Sequence, residues 1–419
     1  MTQRNIADKQ FFSYVETSKG PDPSYAQRVT FGDGGSVDAF ARLRTSIPTV
    51  VFDSAESITP RQDRWNSAVS GGGAITYVAN NASHQFIVGA TNGDSARRSS
   101  KRMNIYVPGT SILVLTTGVM GSGATNQKRR IGYYNSDNGI FFELSNTSMG
   151  IVKRTKTSGS VVDTRIEQED WSNDALDGTG PSGIDLDWSK AQIFMMDLEW
   201  LGVGRVRCGI VYEGKIIYCH EFDHGNELET VYMSTANLPV TYEVVNTGAS
   251  AASDDFRQIC SSVIIEGERS KSADHRTVDN ANIPIAITTI VAPVISLRMQ
   301  TAYVGAAAIK PTEINCLSVG SKDTIWKILY NPTLDGASFV ANSGIGAYDV
   351  AATAVTGGKC LASWYGSSDA REMIKAFAEQ DQLGGSLSGV PDIITLAAAN
   401  LTGVTSGQVL GSIGYDELY

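Results

Sequence analysis

Histidine is scarce in this chain of 419 residues. The four copies are His84, His220, His224 and His275, and no Gly-x-Ser-x-Gly occurs, so nucleophilic catalysis of the Ser-His type has no visible support. Five cysteines, Cys208, Cys219, Cys260, Cys316 and Cys360, are odd in number, widely spaced and free of any Cys-x-x-Cys. That excludes a disulfide framework and a zinc ribbon and implies synthesis and folding in a reducing cytoplasm. Positive charge is in deficit: 34 Lys and Arg stand against 44 Asp and Glu, a net charge of −10, which argues against wholesale nucleic-acid binding. Long apolar runs are missing too. The longest, Ile283 to Leu297, is interrupted by Pro284, Thr288, Thr289 and Pro293 and falls short of the roughly 18 residues a spanning helix needs. Met1 to Gln10 is polar and has no secretory pattern, so a soluble protein without membrane insertion is expected.

What is present is a chain able to build a core, with 42% hydrophobic and 19% charged residues. At about 150 residues per domain its length favours two or three units. Glycine is abundant, 42 copies with no collagen period, which predicts many tight turns. Short β-branched and aromatic runs recur between turn clusters, as at Gln85 to Ala90, Ile112 to Thr117, Ile140 to Leu144, Ile193 to Trp200, Val206 to Tyr212, Val240 to Val245 and Ile259 to Glu266. Two hairpins are predicted, one turning at Asn138-Gly139 and one at Glu213-Gly214. A single helix is expected near 369–382: Ser368-Asp369 caps it, Met373, Ile374 and Phe377 share a face, and Gly384-Gly385 ends it. The expected fold is all-β. An extended N-terminal arm at 1–60 precedes a larger β-sandwich at 61–270, a linker at 271–282 and a smaller C-terminal β-sandwich at 283–419, both jelly-roll-like.

Several patterns invite a chemical reading. His220-Glu221-Phe222-Asp223-His224 has the form His-Glu-x-x-His, which binds zinc when a helix puts both imidazoles on one side. Here the preceding Lys215 to Cys219 reads as a hairpin strand, and a continuing strand would separate the two rings by about 13 Å. Gly202-Val203-Gly204-Arg205-Val206-Arg207-Cys208-Gly209 has the wrong glycine spacing for a dinucleotide loop and reads as a sheet bend. Asp197 and Glu199 share a strand face about 6 to 7 Å apart, a spacing between those of retaining and inverting glycosidases. Alternation with Met196, Leu198 and Trp200 equally describes a half-exposed strand. The stretch Asp170 to Gly178, followed by Asp185-Leu186-Asp187, offers oxygens to calcium but fits no known loop register and reads as solvated. Arg97-Arg98-Ser99-Ser100-Lys101-Arg102 and Lys128-Arg129-Arg130 lack interleaved aromatics and read as solvated loops, or as docking points for an acidic protein surface. No catalytic, cofactor-binding or metal-ligating residue is assigned, and no cofactor is expected.

The residues also carry a resemblance. Asp38-Ala39-Phe40-Ala41-Arg42-Leu43-Arg44-Thr45-Ser46 running into Val50-Val51-Phe52-Asp53-Ser54 resembles an N-terminal signature of virion structural proteins of tailed bacteriophages. The likeness continues through Asp177 to Gly183, Ala191 to Phe194, Glu199 to Arg207, Cys219 to Phe222 and Leu238 to Glu243. Its distal part takes in Asn331-Pro332-Thr333-Leu334, Tyr348-Asp349 and Ala354 to Gly358. The resemblance implies a virion component, on the head, collar or tail; with no visible catalytic chemistry and an arm that cannot bury itself, the expected protein is a non-enzymatic tail-associated or fibre-like appendage that docks through its arm and is made in the bacterial host cytoplasm. Its partners would be other virion proteins, copies of itself as a homotrimer, and a host-surface glycan or receptor. A head decoration or cement protein is the sibling reading. A carbohydrate-active or zinc-dependent hydrolase using Asp197 and Glu199, or His220 and His224, is the reading from another class.

Overall fold

The computed structural model describes residues 47–267, 273–281, 283–319, 323–367, 382–401 and 407–419, with the strand backbones Val15–Lys19, Tyr25–Val29 and Arg371–Ile374. In chain order the strands begin with β1 (Val15–Lys19), β2 (Tyr25–Val29), β3 (Pro48–Ala55), β4 (Trp65–Ser70), β5 (Ala74–Val78), β6 (Ser83–Val88) and β7 (Ser95–Ser100). They continue with β8 (Ile112–Val119), β9 (Gln127–Tyr134), β10 (Gly139–Ser145), β11 (Ser148–Thr155), β12 (Val162–Glu167), β13 (Ala191–Leu198), β14 (Val206–Tyr212), β15 (Lys215–Phe222), β16 (Val240–Asn246) and β17 (Ser253–Glu266). The later part holds β18 (Asp274–Asp279), β19 (Ile285–Ile287), β20 (Ala292–Met299), β21 (Ala308–Val319), β22 (Thr324–Tyr330), β23 (Thr333–Asp335), β24 (Val340–Ala341) and β25 (Gly346–Asp349). It closes with β26 (Ala354–Thr356), β27 (Lys359–Gly366), β28 (Arg371–Ile374), β29 (Ile393–Asn400) and β30 (Gly407–Leu418).

Alternation of apolar and polar residues decides how these strands stack. In β8, Ile112, Val114, Thr116 and Gly118 lean one way, buried in turn with half-buried neighbours, as a strand with one dry face requires. A seven-stranded sheet in the order β12-β11-β10-β9-β16-β7-β4 faces an eight-stranded one in the order β15-β14-β13-β8-β17-β6-β5, with β3 pairing β17 from off that path. Because the chain switches sheets between β3 and β4, β4 and β5, β6 and β7, β7 and β8, β8 and β9, β12 and β13, and again on either side of β16, the arrangement is a jelly-roll sandwich. Its core joins Phe86, Ile131, Tyr133, Phe142, Phe194, Met196, Tyr242 and Phe256, all fully buried. Each such side chain contributes about 1.5–3 kcal/mol on burial.

A second apolar cluster runs from Val278 to Tyr415 and fills a smaller sandwich. Its sheets are five-stranded, β18-β30-β21-β28 with β19 on β30, and six-stranded, β24-β25-β20-β29-β22-β27. Trp326 is the largest side chain buried there and stacks on Trp364 at 6.3 Å. Both sandwiches belong to one compact unit, Val50–Ile265 with Arg269–Tyr419. The other unit, Met1–Thr49 with Glu266–Glu268, contains the β1–β2 hairpin, registered Val15 against Val29 and Lys19 against Tyr25.

Several local expectations meet a different outcome. The helix near 369–382 is corrected at Arg371–Ile374, which form β28 and pair antiparallel with β21, Ile314 opposite Ile374. Ladder hydrogen bonds to a neighbouring strand override the helical spacing of Met373 and Ile374; residues 368–370, with the expected cap Ser368-Asp369, and 375–381 lie outside the described set. Asp274–Asp279, in the stretch read as a linker, forms β18 on β30. Phe52, in the stretch read as an arm, is buried against Trp65 in the first core. The Glu213-Gly214 hairpin has the expected two-residue turn, with φ +49° and +78°. At the other hairpin four residues turn instead of two. Gly139 pairs with Tyr134, and Asn135 Oδ1 accepts from the backbone N–H groups of Asp137 and Asn138.

Inside the first sandwich a polar cluster is sealed from water. Arg98 donates to His84 Nδ1 and Gln258 Oε1 at 2.8 Å each and to Pro60 O at 2.5 Å, and it lies 3.4 Å from Glu56 Oε1 and over the Trp65 ring. Since His84 Nδ1 accepts from a guanidinium, the imidazole is neutral. Burial first, and the Arg98 charge second, push its pKa down to about 3, while burial raises that of Glu56.

Two predictions come from this packing. Gly139 has φ +147° and an added Cβ would lie 2.1 Å from that of Tyr134, so Gly139→Ala should lower stability to urea by at least about 2 kcal/mol. For His84 the folded pKa lies below the ordinary value of 6.5, so its contribution is complete above pH 6.5 and drains away as pH falls toward 3, where the unfolded chain alone takes up the proton. Thermal unfolding between pH 7 and 4.5 should therefore show a steeper loss for the wild type than for His84→Gln; parallel curves would contradict the assignment.

Candidate functional site

The His-Glu-x-x-His segment sits at the end of β15, which stops at Phe222. Beyond it the chain turns and brings His224 back to the glycine-bearing turn between β13 and β14. Lys153 donates to His224 Nε2 at 3.0 Å, so the ring proton is on Nδ1 and is donated to Gly204 O at 2.7 Å. The ring also stacks on Tyr232 at 4.2 Å and 3°. His220 Nδ1 accepts from the Ser172 N–H at 3.1 Å. Burial, foremost, lowers the pKa of both imidazoles and of Lys153, whose ammonium occupies the position a metal would need at His224. Among the described residues no group of three His, Cys, Asp or Glu side chains is placed to hold a metal ion.

The Gly202 to Gly209 pattern begins in the hairpin turn between β13 and β14 and runs into β14 from Val206. Gly202 has φ +82°, and a Cβ on Gly204 would meet Glu199 O at 2.3 Å. The two carboxylates near it part company. Asp197 pairs across the ladder with Arg207, whose guanidinium also covers the Tyr218 ring, whereas Glu199 lies exposed beyond the end of β13. In the acidic stretch, Asp174 is buried and accepts from the N–H groups of Leu176 and Ser182, while Asn173 and Asp174 donate from their backbones to Cys219 O. Ser172 Oγ accepts from Glu221 N–H, so residues 172–174 lie along the free margin of β15 and seal it. Asp177 and Asp185 rim an open hollow of about 690 Å³ together with Glu167, Glu169 and Trp188.

Apart from Lys101 and Arg102, which lie just past β7, the basic runs are strands, which corrects their reading as loops. Arg97 to Ser100 lie in β7 and Lys128 to Arg130 in β9. Across the outer face of the seven-stranded sheet the registers align Arg97, Glu243, Arg130, Glu143, Gly150 and Glu167 in one row. Arg130 bridges Glu143 and Glu243 at 2.8 Å each. Burial acts to lower the Arg130 pKa, but Glu243, Tyr134 and Glu143 outweigh it and hold the pKa above its ordinary value. Gly150 leaves space that Arg165 fills on its way to Glu143 and Glu167; a Cβ there would lie 2.7 Å from its guanidinium carbon. Next to this row Tyr134 and Phe141 pack at 4.4 Å, with Arg154 over both rings and Asp163 holding Arg154. Period-two charge in Lys128-x-Arg130 and Glu143, once the strands are placed, is the signal that identifies this face.

All five cysteines are free thiols; Cys208, Cys219 and Cys316 are buried and Cys360 is exposed. Among the described residues no helix is long and apolar enough to cross a membrane.

No family model and no curated protein matches the sequence. Among solved structures the chain is similar to a legume lectin-like domain from Entamoeba histolytica, at 12% identity and a TM-score of 0.29 over 52% of this chain and 98% of that one. It is also similar to the CBM2 module of the evolved Dit of Lactobacillus casei BL23 phage J-1, at 6% identity and a TM-score of 0.32 over 54% of this chain and 100% of that one. A third is a Bacillus licheniformis β-glucanase, at 8% identity and a TM-score of 0.32 over 54% and 100% of the two chains.

Proposed function

We propose that this chain is a non-enzymatic structural component of a tailed bacteriophage virion, a tail-associated or fibre-like appendage that docks through its N-terminal segment and holds its β-sandwiches outward. Copies of itself, as a homotrimer, and other virion proteins are its structural partners, and a host-surface glycan or receptor is its outward one. The observation that carries the reading is the open margin of β27. Eight-residue strands end two of the sheets, β15 and β27. The first is sealed by residues 172–174, but no described strand pairs with the outer side of the second.

An unblunted edge is a template for another chain, and proteins that act alone cover or charge it. β27 carries one charge, Lys359 at its start, and leaves Tyr365 71% exposed. A second copy of this chain is the occupant we assign to it. Supporting this over a hydrolase, Asp197 is spent on Arg207, and His220 and His224 are spent on Ser172, Gly204 and Lys153. A head decoration protein would use the same edge at a different place on the particle.

Gold-labelled antibody on purified particles should mark the tail or its appendages; absence of the chain from mature particles removes the proposal, and label on the capsid shifts it to decoration. In sedimentation of the purified chain, Tyr365→Lys should dissociate the oligomer, and at dilutions where both proteins are monomeric the unfolding temperatures should agree within about 2 °C, as expected for an exposed substitution of about 0.5 kcal/mol or less.

A further inference from the structure

Where β7 and the β9–β10 turn meet the loop at 384–392, a cleft of about 510 Å³ opens. That lies within the roughly 300–1,000 Å³ of small-ligand pockets and is far too large for a bare inorganic anion. Two cations line it, Arg97 and Lys101. Neither has a carboxylate within salt-bridge distance among the described residues, on a protein of net charge −10. Glu243, the cross-strand neighbour of Arg97, has turned to Arg130 at 2.8 Å. Asp137, which also lines the cleft, is held by Lys156 at 3.0 Å. Arg97 rides over the Tyr134 ring at 5.7 Å and spends only its Nε, on Ser99 Oγ at 3.3 Å, so the outer fork of a half-buried guanidinium is left for a ligand.

The remaining wall is polar and fixed. Asn138 is hydrogen-bonded to Ser234 by side chain and backbone. Asn66 Nδ2 donates to Gly385 O at 2.8 Å, and the opposing loop is tied by Ser386 N–H to Val390 O and Gly384 N–H to Asp392. Gly384 and Gly385 make the close approach feasible. A Cβ on Gly385 would lie 2.6 Å from Val304 and 2.7 Å from Val390 O, and one on Gly384 would lie 3.3 Å from Lys101 O. Preorganised walls of this kind reduce the ordering cost of binding.

We propose that this cleft binds a carboxylate-bearing saccharide, with Arg97 gripping the carboxylate through its planar fork, Lys101 supplying a second charge, and the hydroxyl and amide wall meeting the sugar hydroxyls. The assignment rests on the outward glycan partner named above and gives it a place and a charge. An acidic peptide is the less fitting occupant, because the cleft offers hydroxyls and amides rather than a strand edge.

The test is calorimetric titration of the full purified chain with trigalacturonate, triglucuronate and a sialylated trisaccharide, against carboxyl-reduced trigalacturonate and hexaglutamate. At least one acidic sugar should bind, about tenfold or more weaker in Arg97→Gln and in Lys101→Gln, and weaker in 0.5 M salt. Arg97→Lys, which keeps charge and loses the fork, should recover only part of the affinity, with thermal unfolding confirming that each variant is folded. Binding of none of the acidic sugars, equal binding of the reduced sugar or of hexaglutamate, or affinity unchanged in both Gln variants would overturn the site. Such a failure leaves the particle-labelling result as it was, so the two readings are decided separately.

Discussion

The register between β9 and β10 governs what both faces of the seven-stranded sheet present. With Gly139 opposite Tyr134 and Phe142 opposite Ile131, the side chains Ile131, Tyr133, Ile140 and Phe142 all enter the core, and Arg130, Tyr134, Phe141 and Glu143 all leave it. A slip of β10 by one residue against β9 would reverse the faces of β10, turning Ile140 and Phe142 outward and bringing the charge of Glu143 into the sandwich. Gly132 and Gly139 help to fix the alignment, because any Cβ at either would collide with the facing strand.

From that register follows the electrostatic character of the outer face. Carboxylates and guanidiniums alternate across five strands and satisfy one another, so a surface rich in charge offers little unbalanced charge along its middle. The imbalance is displaced to the β7 end, where Arg97 has lost its carboxylate neighbour to Arg130. The same logic applies to the residues with chemical promise in the sequence. Most have found a partner nearby: Asp197 on Arg207, His224 between a carbonyl and an ammonium, Asp174 on two amides.

The sandwich architecture was legible because strand signals are local. Alternation in Ile112 to Thr117, the Glu213-Gly214 turn and the Gly202 to Gly204 turn all read out as built. What failed depended on contacts remote in sequence. Arg371–Ile374 looked helical until β21 supplied a ladder, and Gly384-Gly385 looked like a helix stop although these glycines serve a close packing against Lys101 and Val304. Lys128-Arg129-Arg130 looked like a solvated loop because its counter-charges, Glu143, Glu243 and Asp255, lie up to 126 residues away in the chain. The cleft beside Arg97 could not be read at all, since its walls come from segments as far apart in the chain as Asn66 and Gly385, 319 residues.

The unsealed margin at β27 also constrains symmetry. When such a strand meets its own counterpart antiparallel, the two are related by a two-fold axis and growth stops at a pair. A three-fold ring demands that a different patch of the neighbour receive it, so that every contact runs head to tail and the rotation closes. The identity of the surface that accepts Tyr365 thus selects between a dimer and a ring.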